Sequence, residues 1–275
     1  MVGGTCGLLG VYIILRGMSY IGHGLSHAVF GGAVISYIIN ANLYIGAVLW
    51  GFLSAFLINE ISRRSKIKPD AAIGVVTTAS FAVGVLLITT TRSFNRSFEA
   101  ILFGNILGIT DQDLVMIIIA LMITSLFIVF FHKRLLFTIF DKETAKAYGV
   151  KTERVENIFS LVLATVVIAS MSAIGVTLLA AALVAPAVSA RMLTNNFHKM
   201  ILYSTVIGAT TSFSGMYASF YLDSASGATI VLFSAIGFGI SALYAFLKQK
   251  YHAHWHAGMI HVHSHSHTAE HRHEH

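Results

Sequence analysis

The chain is a succession of apolar stretches, most near twenty residues long, separated by short intervals that hold nearly all of its charge. About twenty apolar residues in a helix rising 1.5 Å per residue cross the ~30 Å hydrocarbon core of a bilayer, with every backbone hydrogen bond kept inside the segment. Of the 275 residues, 56% are hydrophobic and 11% charged, and mean hydropathy is +0.75, which excludes an ordinary soluble domain. The pattern predicts an all-α, polytopic membrane bundle of eight or nine transmembrane helices over residues 1–247, followed by a disordered His-rich tail over residues 248–275. A formal charge of +6 would suit a nucleic-acid partner, but the basic residues lie in patches between apolar runs, as cytoplasmic loops do. No nucleic-acid partner is expected. Cys6 is the only cysteine, so neither an intrachain disulfide nor a thiolate metal cluster is available.

The spans are expected over about Val2 to Leu15, Ser19 to Ile39, Leu43 to Ile61, Ala71 to Thr90, Leu114 to Phe131, two folded from Ile158 to Leu193, Met200 to Leu222 and Ala225 to Leu247. The first is shorter than a span needs and reads as a clipped helix. Gly175 marks the reversal within the long stretch, and Pro186 should kink its second half. The segment from Arg92 to Leu114 has mixed character and could hold a short surface or re-entrant helix. Only Arg92 and Arg96 fall on one side of this plan. Arg16, Arg63, Arg64, Lys133, Arg134, Lys142, Lys248 and the remaining basic residues fall on the other, which is therefore read as cytoplasmic. A multi-pass protein of the cell (plasma) membrane with a cytoplasmic C-terminus follows.

Inside the second span, His23 and His27 are four residues apart, a spacing that stacks two imidazoles on one helical face within reach of a single ion. A lone histidine there would be read as interfacial or as a partner for a neighbouring helix. A pair reads as a metal or proton site, because ionisable groups in hydrocarbon mark ion pathways and imidazole is the commonest zinc ligand. Within the proposed spans these two are the clear mid-membrane titratable groups besides Cys6. The polar interval FDKETAKAYGVKTERVEN predicts a short amphipathic helix, with Asp141 as N-cap, Glu143 in the positive first turn and Gly149 at the C-terminal cap.

Four of these stretches also carry a resemblance. LRGMSYIGHGLSHAVFGG, FDKETAKAYGV, AIGVTLLAAALVAPAVSARML and YLDSASGATIVL resemble, in order and over about Gly7 to Leu247, the membrane permease subunits of ABC-type zinc/manganese importers. The resemblance implies a homodimeric permease that takes a divalent metal from an extracellular metal-binding protein to the cytosol, driven by ATP-binding cassette ATPase subunits. It implies that Asp141, Glu143, Ala145, Ala147 and Gly149 belong to the ATPase-docking segment. It implies no permanently bound cofactor and no enzymatic activity in the chain itself, which has no GxxxxGK[ST] sequence to bind ATP phosphates. The family's usual Asp falls at His23 and its usual Pro at Gly31. Imidazole in place of carboxylate favours zinc, copper or nickel over manganese, so zinc is expected ahead of manganese. The alternatives are an ATP-independent zinc carrier of ZIP-like or cation-diffusion-facilitator-like type, whose sites pair His with intramembrane acids, and a membrane metal-binding protein that transports nothing.

Ten of the fourteen histidines lie in the tail: His252, His254, His256, His261, His263, His265, His267, His271, His273 and His275. Alternate histidines on an extended chain offer several ways to chelate an ion, which predicts a buffer or feedback sensor dispensable for translocation. Protonated imidazole cannot ligate, so this binding is expected to weaken as pH falls through about 6.5.

Overall fold

The computed structural model describes residues 1–64, 67, 69–91, 101–250, 252–256 and 259–263. In chain order the helices are α1 (Val2–Leu15), α2 (Ile21–Ile38), α3 (Leu43–Arg64), α4 (Pro69–Thr91), α5 (Asp111–Phe140), α6 (Lys142–Ala147), α7 (Thr152–Ile174), α8 (Leu179–Leu193), α9 (Phe197–Leu222) and α10 (Ser226–Lys250). A 3₁₀ turn, Ile106–Gly108, precedes α5, and a hairpin of β1 (His252–His256) and β2 (Met259–His263) follows α10. α3, α4, α5, α7 and α10 are each long and apolar enough to cross a membrane, and α1 and α8 are shorter apolar helices. The chain is a polytopic membrane bundle. Its outer faces are those of a protein solvated by lipid: Leu126, Val129 and Phe130 of α5, Phe213 and Phe220 of α9, and Ile240 and Phe246 of α10 are all exposed.

α7 is the central post, buried along most of its length and packed on α2, α3 and α5. It ends where Gly175 takes φ +88°, and α8 then runs back with Pro186 inside it, so the long apolar stretch divides at the glycine as expected. The amides of Val176 and Thr177 donate to the carbonyls of Ile101 and Leu102, and that of Asn105 to Ser172, which ties the segment before α5 to this reversal. Residues 92–100 of that mixed segment lie outside the described residues.

α1 stops at Leu15 in a Schellman turn. Gly17 adopts φ +66°, its amide bonds to Ile14, and the Met18 amide reaches back to Ile13. This turn starts α2 at Ile21, so His23 lies in the first turn and His27 in the second. The imidazoles therefore lie in the half of α2 nearer Arg16. α5 differs from expectation, continuing past Phe131 through His132, Lys133 and Arg134 to Phe140. Leu135 and Thr138 keep a buried face over the extra turns, and the helix stops only where Asp141 caps the next one.

In the tail, the alternation of His with Ala, Trp, Ile and Val is a period-2 strand pattern. Ten residues form the hairpin where the sequence reading has a disordered end. His265, His267, His271, His273 and His275 lie outside the described residues.

α2 is held by close backbone approach. A Cβ on Gly31 would lie 2.4 Å from the Ser80 carbonyl oxygen of α4, and one on Gly32 would lie 2.3 Å from the Gly46 carbonyl oxygen of α3. Small residues at such crossings let helices associate by van der Waals packing where no hydrophobic force acts between them. Gly31→Ala is expected to force α2 and α4 apart at a cost of about 1–3 kcal/mol and lower the melting temperature in detergent. Gly239→Ala, where a Cβ meets no atom within 4 Å, should leave the melting temperature unchanged or raise it.

Candidate functional site

α2 is buried over nearly its whole length before its last turn, and the openings in that burial are His23, exposed, and His27, half-buried. Their Nε2 atoms lie 3.0 Å apart. Two nitrogens on one tetrahedral ion at 2.0–2.1 Å are separated by about 3.3 Å, so the pair is within a few tenths of an ångström of chelating geometry. The His27 ring stands edge-on to Phe81 with centroids 4.5 Å apart, which holds it in position. Its Nδ1 is buried and has no hydrogen-bond partner among the described residues.

The two imidazoles open onto a groove of about 440 Å³ between α2 and α4, whose walls include Tyr20, Asp70, Thr77, Thr78 and Phe81. Asp70, in the first turn of α4, is the acid at the mouth of this groove; its place beside the histidines comes from helix packing and has no signal in the sequence. No group of three or more His, Cys, Asp or Glu able to hold an ion converges among the described side chains. A single chain thus supplies two nitrogen donors on an open face.

The short polar helix forms as its sequence predicts. Asp141 Oδ1 accepts from the Thr144 amide at 2.9 Å, and its other oxygen accepts from the Thr144 hydroxyl. These bonds hold the Asp141 carboxyl below its usual range, so the cap is intact at neutral pH and is lost only as acid protonates it. At the far end Gly149 has φ +79°, its amide bonds to Lys146, and the Val150 amide reaches Ala145, a second Schellman turn. Glu143 pairs with Lys146 at 3.1 Å on the surface. Ala147 and Gly149 are exposed, but Ala145 is fully buried and anchors α6 to the bundle, so it faces away from any partner. Tyr148 and Phe140, 79% and 69% exposed, flank the helix in sequence and are large exposed side chains that the sequence reading did not include.

Beneath α6 lies a buried ionic cluster. Arg16, at the turn that starts α2, has a side chain only 9% exposed; its Nη2 is 3.4 Å from Glu156 Oε1, and its guanidinium lies over the Phe159 ring. Burial pushes the Arg16 pKa down and the Glu156 carboxylate opposes that shift. Lys142, the first residue of α6, bonds both oxygens of Glu156 at 2.8 and 2.9 Å. One carboxylate therefore joins the turn that starts α2 to the first residue of α6. Nearby, the Tyr12 hydroxyl and His132 Nδ1 are 3.0 Å apart, and at the opposite end Asp113 accepts from Thr110 and from the Tyr44 hydroxyl.

Residues 1–245 match the ABC 3 transport family. The chain belongs to the ABC 3 transport family. It is the transmembrane subunit of an ABC transporter, and ATP hydrolysis resides on a separate subunit, so the chain is not itself an enzyme. The permease is 37% identical to the manganese transport system membrane protein MntC of Halalkalibacterium halodurans over 245 residues, 89% of this chain and 84% of that protein. It is 34% identical to a probable iron transport system membrane protein of Haemophilus influenzae over 244 residues, 89% and 86% of the two chains. Among solved structures it superposes on PsaBC from Streptococcus pneumoniae in complex with Fab with a TM-score of 0.78 at 36% identity, covering 90% of this chain and 91% of that one.

Replacing Glu156 by Gln in the permease leaves Arg16 buried without its counter-charge and Lys142 with one uncharged acceptor in place of two carboxylate oxygens. The expected loss is on the order of 2 kcal/mol, below the ~3–5 of a fully buried pair because Lys142 is partly exposed. A melting temperature in detergent equal to that of the unmodified protein would remove the cluster from the list of structural supports.

Proposed function

We propose that the permease is the membrane-spanning subunit of an ATP-driven importer of a divalent transition metal, with His23 and His27 as ligands on the translocation path. The observation that carries this reading is the groove between α2 and α4. A helix otherwise packed on all sides opens at two imidazoles whose Nε2 atoms are 3.0 Å apart. Relatives named for manganese and iron transport support a divalent metal as cargo. The ion enters and leaves as substrate, and no permanently bound cofactor is invoked.

Zinc is the favoured cargo and manganese the alternative. Imidazole is a better donor for zinc than for manganese, which prefers oxygen. Two donors fall short of a tetrahedral set, and the open position of His23 supports a homodimer in which a second copy supplies the other pair. The partners are then two ATP-binding cassette ATPase subunits docked on α6 through Glu143, Ala147, Gly149 and Tyr148, and an extracellular metal-binding protein at the opposite end. The plasma membrane is the location, with the C-terminus cytoplasmic on the positive-inside asymmetry. Family membership supports an ATP-coupled system over the ATP-independent carriers.

Metal-stimulated ATPase activity and uptake by the complex in proteoliposomes, across zinc, manganese and iron, test the cargo. Zinc should stimulate most strongly, and stronger stimulation by manganese in the unmodified protein overturns the zinc preference. His23→Asp should shift selectivity towards manganese. Zinc binding of about 10–16 kcal/mol shared by four ligands gives each imidazole about 3 kcal/mol, so His23→Ala or His27→Ala should weaken metal binding by roughly a hundredfold. Undiminished uptake in the double alanine variant, with insertion intact, would take both residues off the path.

Docking has its own test. Tyr148→Ala or charge reversal at Glu143 should weaken co-purification of the ATPase, or uncouple hydrolysis from transport, without altering metal affinity. Unchanged assembly and coupling in both variants would make α6 an ordinary connecting segment.

A further inference from the structure

Arg16 carries more hydrogen-bond donors than the described residues use. A guanidinium presents its N–H groups in a planar fork, and buried donors in folded proteins are nearly always bonded. The Arg16 side chain is 9% exposed, yet its Nη2 lies 3.4 Å from Glu156 Oε1, well beyond the about 2.7–2.9 Å of a charge-assisted bond. Its Nη1 is buried with no hydrogen-bond partner among the described residues. The same side chain lines a partly open cavity of about 250 Å³ whose walls also include Asn59, Ser62, Arg63, Lys142 and Glu156. The charged walls are three cations and one carboxylate. Glu156 is shared between Arg16 and Lys142, while Arg63 is engaged by Glu60 and Glu153, which are not among the walls. Lys142 bonds both oxygens of Glu156 and keeps a third N–H, and Ser62 adds a hydroxyl to the same walls.

From the unpartnered guanidinium and the charge of these walls we propose that the cavity is a binding site for a phosphate-class oxyanion, held by Arg16 with Lys142 and Ser62. The guanidinium fork matches two oxygens of a phosphate or phosphodiester group, which gives Arg16 the short bonds that Glu156 does not. Two sources of that chemistry reach the site. α5, at 30 residues, is about 45 Å long, the thickness of a bilayer with its headgroups, and Thr138 and Ile139 near its end also line the cavity. The site therefore lies at the headgroup boundary, where the phosphate is that of an anionic lipid or that of a soluble anion in the adjoining water. The inference rests on the cavity and on Arg16, and is independent of what the permease carries.

Thermal unfolding of the full-length permease in phosphate-free detergent solution tests the site with two probes, inorganic phosphate and phosphatidylglycerol. A ligand that binds the folded state raises the melting temperature with its concentration. At least one probe should do so, and the one that saturates at the lower concentration identifies the source. Arg16→Gln should weaken the apparent affinity by about tenfold or more. Ser62→Asp adds a negative charge to the wall at a half-buried residue, leaves the guanidinium in place, and should weaken it as much. Lys146→Gln removes a cation of α6 that does not line the cavity, and should change the affinity by less than about twofold. Glu156→Gln should gain a larger rise from the probe than the unmodified protein gains, because the anion then replaces the lost counter-charge. No stabilisation by either probe, or equal stabilisation of the unmodified protein and Ser62→Asp, overturns the site. Equal losses in Ser62→Asp and Lys146→Gln also overturn it, since anions would then respond only to the overall charge of that end, as does a smaller rise in Glu156→Gln than in the unmodified protein.

Discussion

Everything that gives this permease a site depends on how closely α2 lies against its neighbours. In hydrocarbon, helices gain little by burying apolar side chains against one another, because lipid tails are equally apolar. Their association rests on packing, and packing is tightest where a side chain is absent. Gly31 brings α2 against the backbone of α4 at Ser80, and Gly32 brings it against α3 at Gly46. With those faces closed, the imidazoles of His23 and His27 are the polar side chains that α2 itself presents at the opening, and Phe81 from α4 stands against the second ring. Gly31 is thus a packing feature of the crossing between α2 and α4.

The second organising element is electrostatic and lies at one end of the bundle. The Schellman turn at Gly17 ends α1, starts α2 and presents Arg16 to Glu156 of α7, whose carboxylate also takes Lys142 of α6. A guanidinium 9% exposed is tolerated because Glu156 and the face of Phe159 replace part of its hydration. The chain runs only seven residues from Arg16 to His23, and α6 begins at Lys142. The start of α2 and the start of α6 are therefore linked through one shared carboxylate. Ala145, buried under α6, makes that helix part of the bundle and not a loose appendage.

Much of this was legible before any coordinates. Period and length in the apolar runs predict the helices, and Asp141 and Gly149 predict both ends of α6 through local backbone chemistry that needs no distant partner. The stretch from Ile158 to Leu193 divides at Gly175 because a left-handed φ is cheapest at glycine. The i, i+4 spacing puts His23 and His27 on one face whatever surrounds them. These features follow from residues within a turn or two of one another, and a sequence contains that information directly.

Other features depend on contacts between residues far apart in the chain. Asp70 joins the histidine groove because α4 crosses α2 there, and the hub at Glu156 exists because α1, α6 and α7 meet at one end. α2 starts at Ile21, two residues beyond the Ser19 expected from hydropathy, because the turn at Gly17 sets the start and an apolar run does not mark it. Strand register in the tail was likewise outside the reach of composition, since alternating histidines specify a face but not which residue stands opposite which. The sequence by itself determined that this is a membrane helix bundle with two histidines on one helical face and a capped short polar helix, because periodicity and capping are local. Only the tertiary structure decided which face of α2 stays open, which charges share a carboxylate and which histidines pair across the hairpin, because those are properties of surfaces that come together after the helices have formed.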